Sequence, residues 1–371
     1  MDYFKNKSPF KSYTGTEKKL IAAQNQVVAA AGEYELTNAE LQVYYWIYVY
    51  NFLEENSYYL SYLGLDYTQD LATQKCYFDE TKSWQEYFLE NALSAWHQYI
   101  VLCGAAKEAD FKLPEEEQEY LNNLKTTMDE QAKKYGFKDG ADMIKNEMGA
   151  GATWEAYSKY TKDTFIGMGY YNQFAENLKV TEEDIAKYYE DNKKTFDDNK
   201  ITKDDTDRAW SSVRHILLRP EGEVDAYGKV TATEDAWETC RQKAQGILDG
   251  YLASGKTNEE AFGALAKLHT VDEGSKENGG LYEKFFKGEM ITEFEEWSFN
   301  TARKYGDTGL VKTVYGYHIM LYLGGEAAWH YYSDASIRSE KCTAFLDGLK
   351  EAKPLEANYK NILVGHVDLG K

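Results

Sequence analysis

The sequence predicts an α+β protein, made of a long, mostly helical part and a smaller domain that combines a sheet with helices. Apolar and aromatic residues recur at helical spacing over residues 36–195, and the 371-residue chain contains only four prolines, which favours long uninterrupted helices. A polar, charged stretch at 197–208 then precedes a part in which apolar residues alternate with a period of two. The length is sufficient for two domains, each with its own core.

The helical part contains two start signals with capping-box spacing. Thr37 stands three residues before Glu40, and Thr181 stands three residues before Asp184, in each case ahead of a helical apolar pattern. Tyrosine is dense between residues 36 and 63, and two interpretations of this density stay open. The tyrosines form ordinary helix core, or they line an exposed aromatic groove that binds peptides promiscuously.

Helical periodicity returns near the end of the chain, over residues 333–363. We therefore expect a discontinuous helical domain, formed by residues 1–205 and completed by residues 333–371. Residues 206–330 are expected to form the α+β domain inserted into it. The C-terminal segment 331–371 is expected to pack as a helix on the N-terminal domain.

Two strands bound the inserted domain. VRHILL occupies residues 213–218, and its alternation places Val213, His215 and Leu217 on one face of a strand. GYHIMLYL, at residues 316–323, is the strand expected to close the domain. The pattern between them indicates two helices, a glycine-rich turn and a short helix, which together give an α+β layer arrangement.

The two helices between these strands have recognisable features. The first begins near residue 233 and carries Cys240 on its apolar face, where a cysteine behaves as a small hydrophobic residue. Thr257 and Glu260 are expected to cap the second helix. We expect the chain to turn at Gly279-Gly280 before it reaches the short helix.

The composition excludes several classes of partner and site. With 42 Lys and Arg against 62 Asp and Glu, the net charge is −20, which argues against nucleic acid and against an anionic membrane surface. The cysteines Cys76, Cys103, Cys240 and Cys342 lack any CxxC or metal-ligand spacing, so neither a disulfide framework nor a metal site is expected.

The sequence predicts no membrane-spanning segment. The sequence contains no run of about 20 apolar residues, so we expect no transmembrane helix. The opening MDYFKNKSPFKSY, at residues 1–13, is typical of a polar tether. We therefore expect an export signal or a membrane anchor upstream of this chain.

Five segments of the second part stand in a characteristic order. They are VRHILL (213–218), LAKLHTVD (265–272), NGGLYEKFFKGEM (278–290), ITEFEEWSF (291–299) and YGYHIM (315–320). In order and spacing they resemble the parvulin family of peptidyl-prolyl cis/trans isomerases. The resemblance implies an enzyme without cofactor, metal or covalent nucleophile, because the reaction is a rotation about an X–Pro amide with a barrier of roughly 18–20 kcal/mol.

The resemblance implies a catalytic centre of four residues. Parvulins carry two histidines that face each other from adjacent strands, and His215 and His318 occupy these motif positions. Asp272 stands where the family places Cys or Asp, and Thr313 fills the hydroxyl position five residues before the last histidine. In the family these residues form a hydrogen-bonded tetrad in which the carboxylate fixes the histidine tautomers.

The resemblance also implies an apolar slot for the proline ring. The family forms it from a Leu after the glycine turn, a Met and a Phe, which Leu281, Met290 and Phe294 match. The spacing of four puts Met290 and Phe294 on the same face of the short helix. Tyr315 stands where many parvulins have a small residue, and we expect it to narrow the slot. The family's GGDLG run is interpreted here as shortened to GGLYE.

The arrangement as a whole resembles the extracytoplasmic foldases of the PrsA and SurA type, in which a helical chaperone module carries a parvulin domain. VTEEDIAKYYEDNKKTF, at residues 180–196, is typical of the helix that precedes the isomerase in that group. The resemblance implies a protein anchored outside the cytoplasmic membrane that acts on unfolded or extended proline-containing polypeptides. The alternative is a catalytically weak or inactive parvulin fold that serves only as a holdase.

Overall fold

The computed structural model describes residues 13–203 and 207–367. Their first compact unit extends to Leu178 and resumes at Lys341, and the second extends from Lys179 to Glu340. The predicted domain limits at residues 205, 206 and 330 stay predictions. The predicted polar tether lies outside the described residues except for Tyr13.

The described residues form helices and short strands that confirm the predicted α+β class. In chain order the elements up to the second sheet are α1 (Glu17–Ala23), β1 (Val27–Ala31), β2 (Tyr34–Thr37), α2 (Asn38–Glu55), α3 (Trp84–Glu108), α4 (Glu115–Lys134), α5 (Gly140–Met148), α6 (Trp154–Glu176), α7 (Glu182–Asp191) and α8 (Lys193–Asp198). The remaining elements are β3 (Arg208–Leu218), β4 (Glu223–Val224), β5 (Val230–Thr231), α9 (Glu234–Ala253), α10 (Glu259–His269), α11 (Glu273–Lys276), β6 (Leu281–Phe286), α12 (Thr292–Ser298), β7 (Thr308–Thr313), β8 (Gly316–Ala327), α13 (Ala328–Ala352) and β9 (Leu355–Ala357). No helix among the described residues has the length and apolar character that a membrane span requires.

The first unit packs α2, α3 and α6 around a core rich in aromatic rings, beside a small sheet of order β2-β1-β9. Tyr44 and Tyr45 of α2 are buried, so the core interpretation of the tyrosine density is confirmed for this helix. Tyr58, Tyr59 and Tyr62, which follow the end of α2, are exposed. The tyrosine-dense stretch therefore divides into a buried half and an exposed half.

The prediction of continuous helix is wrong over residues 56–83. Several turns join α2 to α3 in this segment. Asp66 and Asp79 explain part of the difference, because the Oδ1 of each accepts a hydrogen bond from the backbone N–H two residues further on, 3.0 Å away in both cases. Such local side-chain bonds stabilise turns at the expense of helix.

The helical prediction at 333–363 is also wrong in its last part. α13 ends at Ala352, and residues 355–357 form β9, which pairs antiparallel with β1. Pro354 accounts for the end of the helix, because it has no backbone N–H and disfavours helical conformation in the residue before it.

Three predicted caps can be compared with the structure. The capping boxes that begin with Thr37 and Thr181 are both confirmed. The assignment of Thr257 is wrong, because α10 is capped by Asn258, whose Oδ1 accepts a hydrogen bond from the N–H of Ala261 at 2.8 Å. Asparagine is a strong N-cap, since its short side chain reaches the N–H groups of the first turn.

The second unit contains a four-stranded antiparallel sheet of order β6-β3-β8-β7. One face packs on α9 and α10 through Ile216 and Ile319, and the buried Cys240 of α9 lies in this core as predicted. The other face carries Val213 and Met320 and packs on α12. Because side chains alternate along a strand, every odd-numbered residue near Val213 faces the α12 side.

Candidate active site

Two buried histidines meet on the α12 face of the sheet. In the antiparallel pairing of β3 with β8, His318 lies opposite Leu217. Leu217 is two residues from His215 along β3, so both histidines lie on the same face of the sheet. The two imidazole rings are nearly parallel, at 20°, with centroids 5.2 Å apart. Their Nδ1 atoms are 3.0 Å apart, which is hydrogen-bonding distance. The pair predicted from the two strand motifs is therefore formed by strand alternation and register.

The far nitrogen of His318 is bonded by a hydroxyl group. Thr313 Oγ1 lies 2.9 Å from His318 Nε2 and accepts a hydrogen bond from the N–H of Tyr315 at 3.1 Å. The tight turn between β7 and β8 sets this spacing. Gly316 adopts a φ of +145° there, and an added Cβ would collide with the carbonyl oxygen of Leu218, so glycine is required at this position.

Asp272 is held at the other end of the histidine pair. Its Oδ2 lies 2.9 Å from His215 Nε2, and the same oxygen accepts hydrogen bonds from the hydroxyls of Ser275 and Tyr282. The backbone is fixed by Thr270, whose Oγ1 accepts from the N–H groups of Leu217 at 3.0 Å and Asp272 at 3.2 Å. The turn after α10 is thereby tied to β3, and it delivers the carboxylate to the sheet.

These contacts define a directed chain of hydrogen bonds, called here the tetrad: Thr313, His318, His215 and Asp272. An ionised Asp272 only accepts, so His215 donates from Nε2 and accepts at Nδ1. His318 then donates from Nδ1 and accepts at Nε2 from the Thr313 hydroxyl. With both imidazoles neutral, each of the four ring nitrogens has a hydrogen-bond partner within the tetrad.

The electrostatics favour an ionised Asp272 and a neutral His318. The hydrogen bond from His215 holds the pKa of Asp272 well below its usual range, with further lowering by Ser275. Burial lowers the pKa of His318 to about 3, and the nearby His215 lowers it further. At neutral pH Asp272 is therefore ionised and His318 is neutral.

An apolar slot opens above the tetrad. It belongs to a cavity of about 580 Å³ that both histidines, Met290, Ile291 and Phe294 line. The Phe294 ring stands edge-on to His215 at 89° and to His318 at 74°, with centroids 5.4 Å apart in both cases. Met290, Phe294 and Tyr315 all line the cavity. The expectation that Met290 and Phe294 share one face of the short helix is wrong, because α12 begins only at Thr292 and Met290 lies before it.

The structure does not bring Leu281 to the slot. Leu281 pairs with Arg214 in the β3–β6 ladder, whereas Tyr282 pairs with Val213 on the α12 face. A shift of one residue along a strand exchanges the two faces of a sheet. The run Gly279–Glu283 is as long as the family's GGDLG, so its fourth residue is Tyr282 and the interpretation of a shortened run is wrong.

Two residues in contact with the tetrad were not predicted. Ser275 lies one helical turn after Asp272 in α11, so a spacing of three after the Asp was a usable signal. Tyr282 lines the cavity and donates to Asp272. Burial raises the pKa of Tyr282 to about 12, with a further contribution from the Asp272 charge, so its hydroxyl stays protonated.

The side chains of the tetrad form hydrogen bonds with one another. Within residues 13–203 and 207–367, no group of three or more His, Cys, Asp and Glu side chains is arranged to hold a metal ion. The geometry offers a rigid, hydrogen-bonded base beneath an apolar slot.

Comparison with known proteins agrees with this geometry. Residues 196–322 match the family model described as PPIC-type PPIASE domain. The chain is 25% identical over 310 residues to the foldase protein PrsA of Caldanaerobacter subterraneus subsp. tengcongensis, covering 83% of this chain and 77% of that protein. It is 30% identical over 147 residues to the foldase protein PrsA of Oceanobacillus iheyensis, covering 39% and 35% respectively. The crystal structure of PrsA from Bacillus subtilis aligns at 20% identity with a TM-score of 0.28, over 73% of this chain and 86% of that one.

Proposed function

We propose that this chain is a peptidyl-prolyl cis/trans isomerase and that it assists protein folding as a foldase. Its residues 196–322 match the PPIC-type PPIase domain. The observation that carries the proposal is the combination of a fully bonded tetrad with an apolar slot directly above it. A reaction that only rotates a bond needs such a shaped, dry and rigid site rather than a nucleophile or a metal.

The slot favours the twisted amide in two ways. A planar amide is polarised by resonance, and the twisted form is less so, because rotation breaks the conjugation between nitrogen and carbonyl. The apolar walls formed by Met290, Ile291 and Phe294 exclude water that would otherwise stabilise the planar form. Twisting also leaves a lone pair on the prolyl nitrogen, which becomes able to accept a hydrogen bond. Only interactions stronger in the twisted state accelerate the rotation.

The tetrad supplies fixed dipoles at the base of this slot. His215 and His318 cannot reorient without losing their bonds to Asp272 and Thr313. The low pKa of His318 keeps its ring neutral, so no proton has to be gained or lost during the rotation. The residue roles follow: Met290 and Phe294 hold the prolyl ring, and His215, Asp272, Thr313 and His318 set the local field.

The substrates on this proposal are unfolded or extended polypeptides that expose X–Pro bonds. The relatives are named foldases, and the alignment with the Caldanaerobacter protein covers 83% of this chain and 77% of that protein. We place this chain outside the cytoplasmic membrane, where foldases of the PrsA type act, with attachment through an anchor beyond this sequence. In this proposal the first unit, which is mostly helical, binds the unfolded polypeptide.

The test is prolyl isomerisation of a short Ala-Pro peptide by the full chain, followed by protease-coupled cleavage of the trans isomer. We expect the slow phase to accelerate in proportion to protein concentration. The aggregation of an unfolded client, followed by light scattering, is measured in parallel. Suppressed aggregation without any acceleration would contradict the isomerase assignment and leave the holdase alternative.

A further inference from the structure

A second candidate binding site lies in the first unit, on the irregular segment between α2 and α3. Three rings there form an exposed aromatic patch: Tyr62, Tyr77 and Phe78, with 71%, 49% and 53% of their surface accessible. Tyr77 contacts both neighbours, with ring centroids 5.5 Å from Tyr62 and 5.6 Å from Phe78. Contiguous exposed aromatic surface of this kind is uncommon unless a partner covers it.

The aromatic patch is held rigidly from beneath. The ring of Phe78 packs edge-on against the buried rings of Trp84 at 5.8 Å and Phe52 at 6.2 Å. The hydroxyls of Tyr62 and Tyr77 lie 3.1 Å apart and bond to each other. The rings are therefore ordered before any partner arrives, which reduces the entropy cost of binding.

The segment around the patch is strongly acidic. Between residues 54 and 80 the chain carries six carboxylates, from Glu54, Glu55, Asp66, Asp70, Asp79 and Glu80, and a single lysine. That lysine, Lys75, is paired with Glu80 at 3.7 Å, and Lys82, just beyond this range, is paired with Asp79 at 3.1 Å. Glu54, Glu55, Asp66 and Asp70 form no ion pair with any Lys or Arg among the described residues.

We propose that the aromatic patch binds cationic, arginine-containing segments of polypeptides. Aromatic faces attract cations, and guanidinium groups also stack on them through their planar surface. The unpaired carboxylates of the same segment add a field of the matching sign, which steers basic chains toward the rings. The proposal rests on the proposed function only in taking polypeptides as partners, and it concerns a site separate from the apolar slot.

The same charges disfavour the other occupants. A second copy would bring an equally acidic patch against this one, and like charges repel. A purely apolar segment would desolvate unpaired carboxylates without compensating them. Nucleic acid is repelled for the same electrostatic reason.

The test uses the full chain and a flexible, proline-free peptide with three arginines in a Gly/Ser background. Its twin carries citrulline at the same positions, which keeps the shape and removes the charge. We expect titration calorimetry to give at least about tenfold tighter binding for the arginine peptide. Equal affinity for the two peptides would overturn the proposal.

Three variants locate the site. The double variant Tyr62→Leu/Tyr77→Leu keeps apolar area but loses the aromatic faces, and we expect about tenfold weaker binding of the arginine peptide. Tyr62→Phe/Tyr77→Phe keeps the faces and is expected to bind like the parent. Tyr135→Leu removes another exposed tyrosine, 70% accessible and outside the patch, and is the matched control. Unchanged binding by the leucine pair would overturn the proposal.

The proline-free peptide separates this site from the isomerase. We expect the leucine pair to accelerate Ala-Pro isomerisation as the parent does, because neither substituted residue lies in the second unit. A parent that binds the arginine peptide but lacks isomerase activity would contradict the proposed function alone. A parent that isomerises the Ala-Pro peptide but does not distinguish arginine from citrulline would contradict this proposal alone.

Discussion

Tyr282 donates its phenolic hydrogen to Oδ2 of Asp272 across 3.2 Å, and so joins a wall of the cavity to the tetrad at its base. The ring of the same residue lies 5.2 Å from that of His215 and 6.1 Å from that of Phe294. A single side chain thus contacts the charged end of the tetrad and the apolar wall above it. Tyr282 therefore links the apolar wall to the carboxylate of Asp272.

The Tyr282→Phe variant should keep the ring and lose this hydrogen bond. We expect a loss of about 1 kcal/mol in the free energy of unfolding, because Asp272 retains two other donors. Turnover should fall about fivefold, which corresponds to a similar energy in the transition state. The matched control is Tyr315→Phe, whose hydroxyl bonds to no described residue. Equal turnover of the two variants would show that the Tyr282 hydroxyl plays no part.

Met290→Ala and Leu281→Ala compare a residue that lines the slot with a residue of β6 that faces away from it. Met290 lines the cavity, so its truncation should lower turnover about tenfold by removing part of the apolar wall. Leu281 faces the opposite side and should leave turnover unchanged, although the protein loses some stability. Kinetics on one Ala-Pro peptide checks both variants. A larger loss for Leu281→Ala would restore the original assignment of that residue to the slot.

The tetrad could be predicted through the resemblance, because the order and spacing of five segments point to it although each segment alone is a weak signal. Strand alternation fixes which way His215 and His318 face, and the hairpin fixes the distance from Thr313. Tyr282 could not be placed with equal certainty, because one residue of misalignment in a strand turns a core residue into a slot residue. The starts of α2 and α7 were predictable from their capping boxes, whereas Pro354 was a usable signal for the end of α13 that the helical periodicity obscured.

Other parts of the fold depend on interactions that the sequence does not order. The segment 56–83 contains helix-compatible residues, but its Asp side chains bond their own backbone and stabilise turns. The cap of α10 was assigned one residue early, because Thr257 and Asn258 are both good caps and stand next to each other in the sequence.

The low pKa of His318 predicts how stability varies with pH. The folded protein binds the proton on His318 only near pH 3, whereas an unfolded histidine binds it below about pH 6.5. Between these values the unfolded chain holds more protons, so the free energy of unfolding decreases as pH falls, by up to about 1.4 kcal/mol per pH unit. The stabilisation is fully present above pH 6.5.

Asp272 is protonated in a more acidic range, so its titration does not contribute to the change in stability attributed to His318. Its pKa is lowered in the folded protein, so its contribution is lost only as pH falls below the unfolded value of about 3.9. Hydrogen exchange of the β3 and β8 amides, corrected for intrinsic rates, reports the opening free energy of this sheet. From pH 6.5 to 4.5 the parent should lose stability more steeply than His318→Gln. Parallel slopes would contradict a neutral, buried His318.

Phosphorylation before proline should not improve a substrate. The loop after β3 contains Arg219 and Lys229 against Glu221, Glu223 and Asp225, so its net charge is negative. A dianionic phosphate needs several charge-assisted donors. We expect equal or slower isomerisation of a phosphoserine-proline peptide than of its unmodified twin. A clear gain on the phosphorylated peptide would show that Arg219, which lines the cavity, acts as a phosphate site.

The most direct test of the account is exchange NMR on an Ala-Pro peptide with substoichiometric amounts of parent or Phe294→Ala protein. Phe294 stands edge-on to both histidines, with ring centroids 5.4 Å from each, so its ring forms an apolar wall next to the base of the slot. The parent should exchange the cis and trans signals far faster than the free peptide does, and the variant should lose at least about nine-tenths of this acceleration. Circular dichroism must first show that the variant is folded, because truncating a buried Phe costs about 3–5 kcal/mol. Parent-like exchange by a folded Phe294→Ala protein would contradict the assignment of the slot.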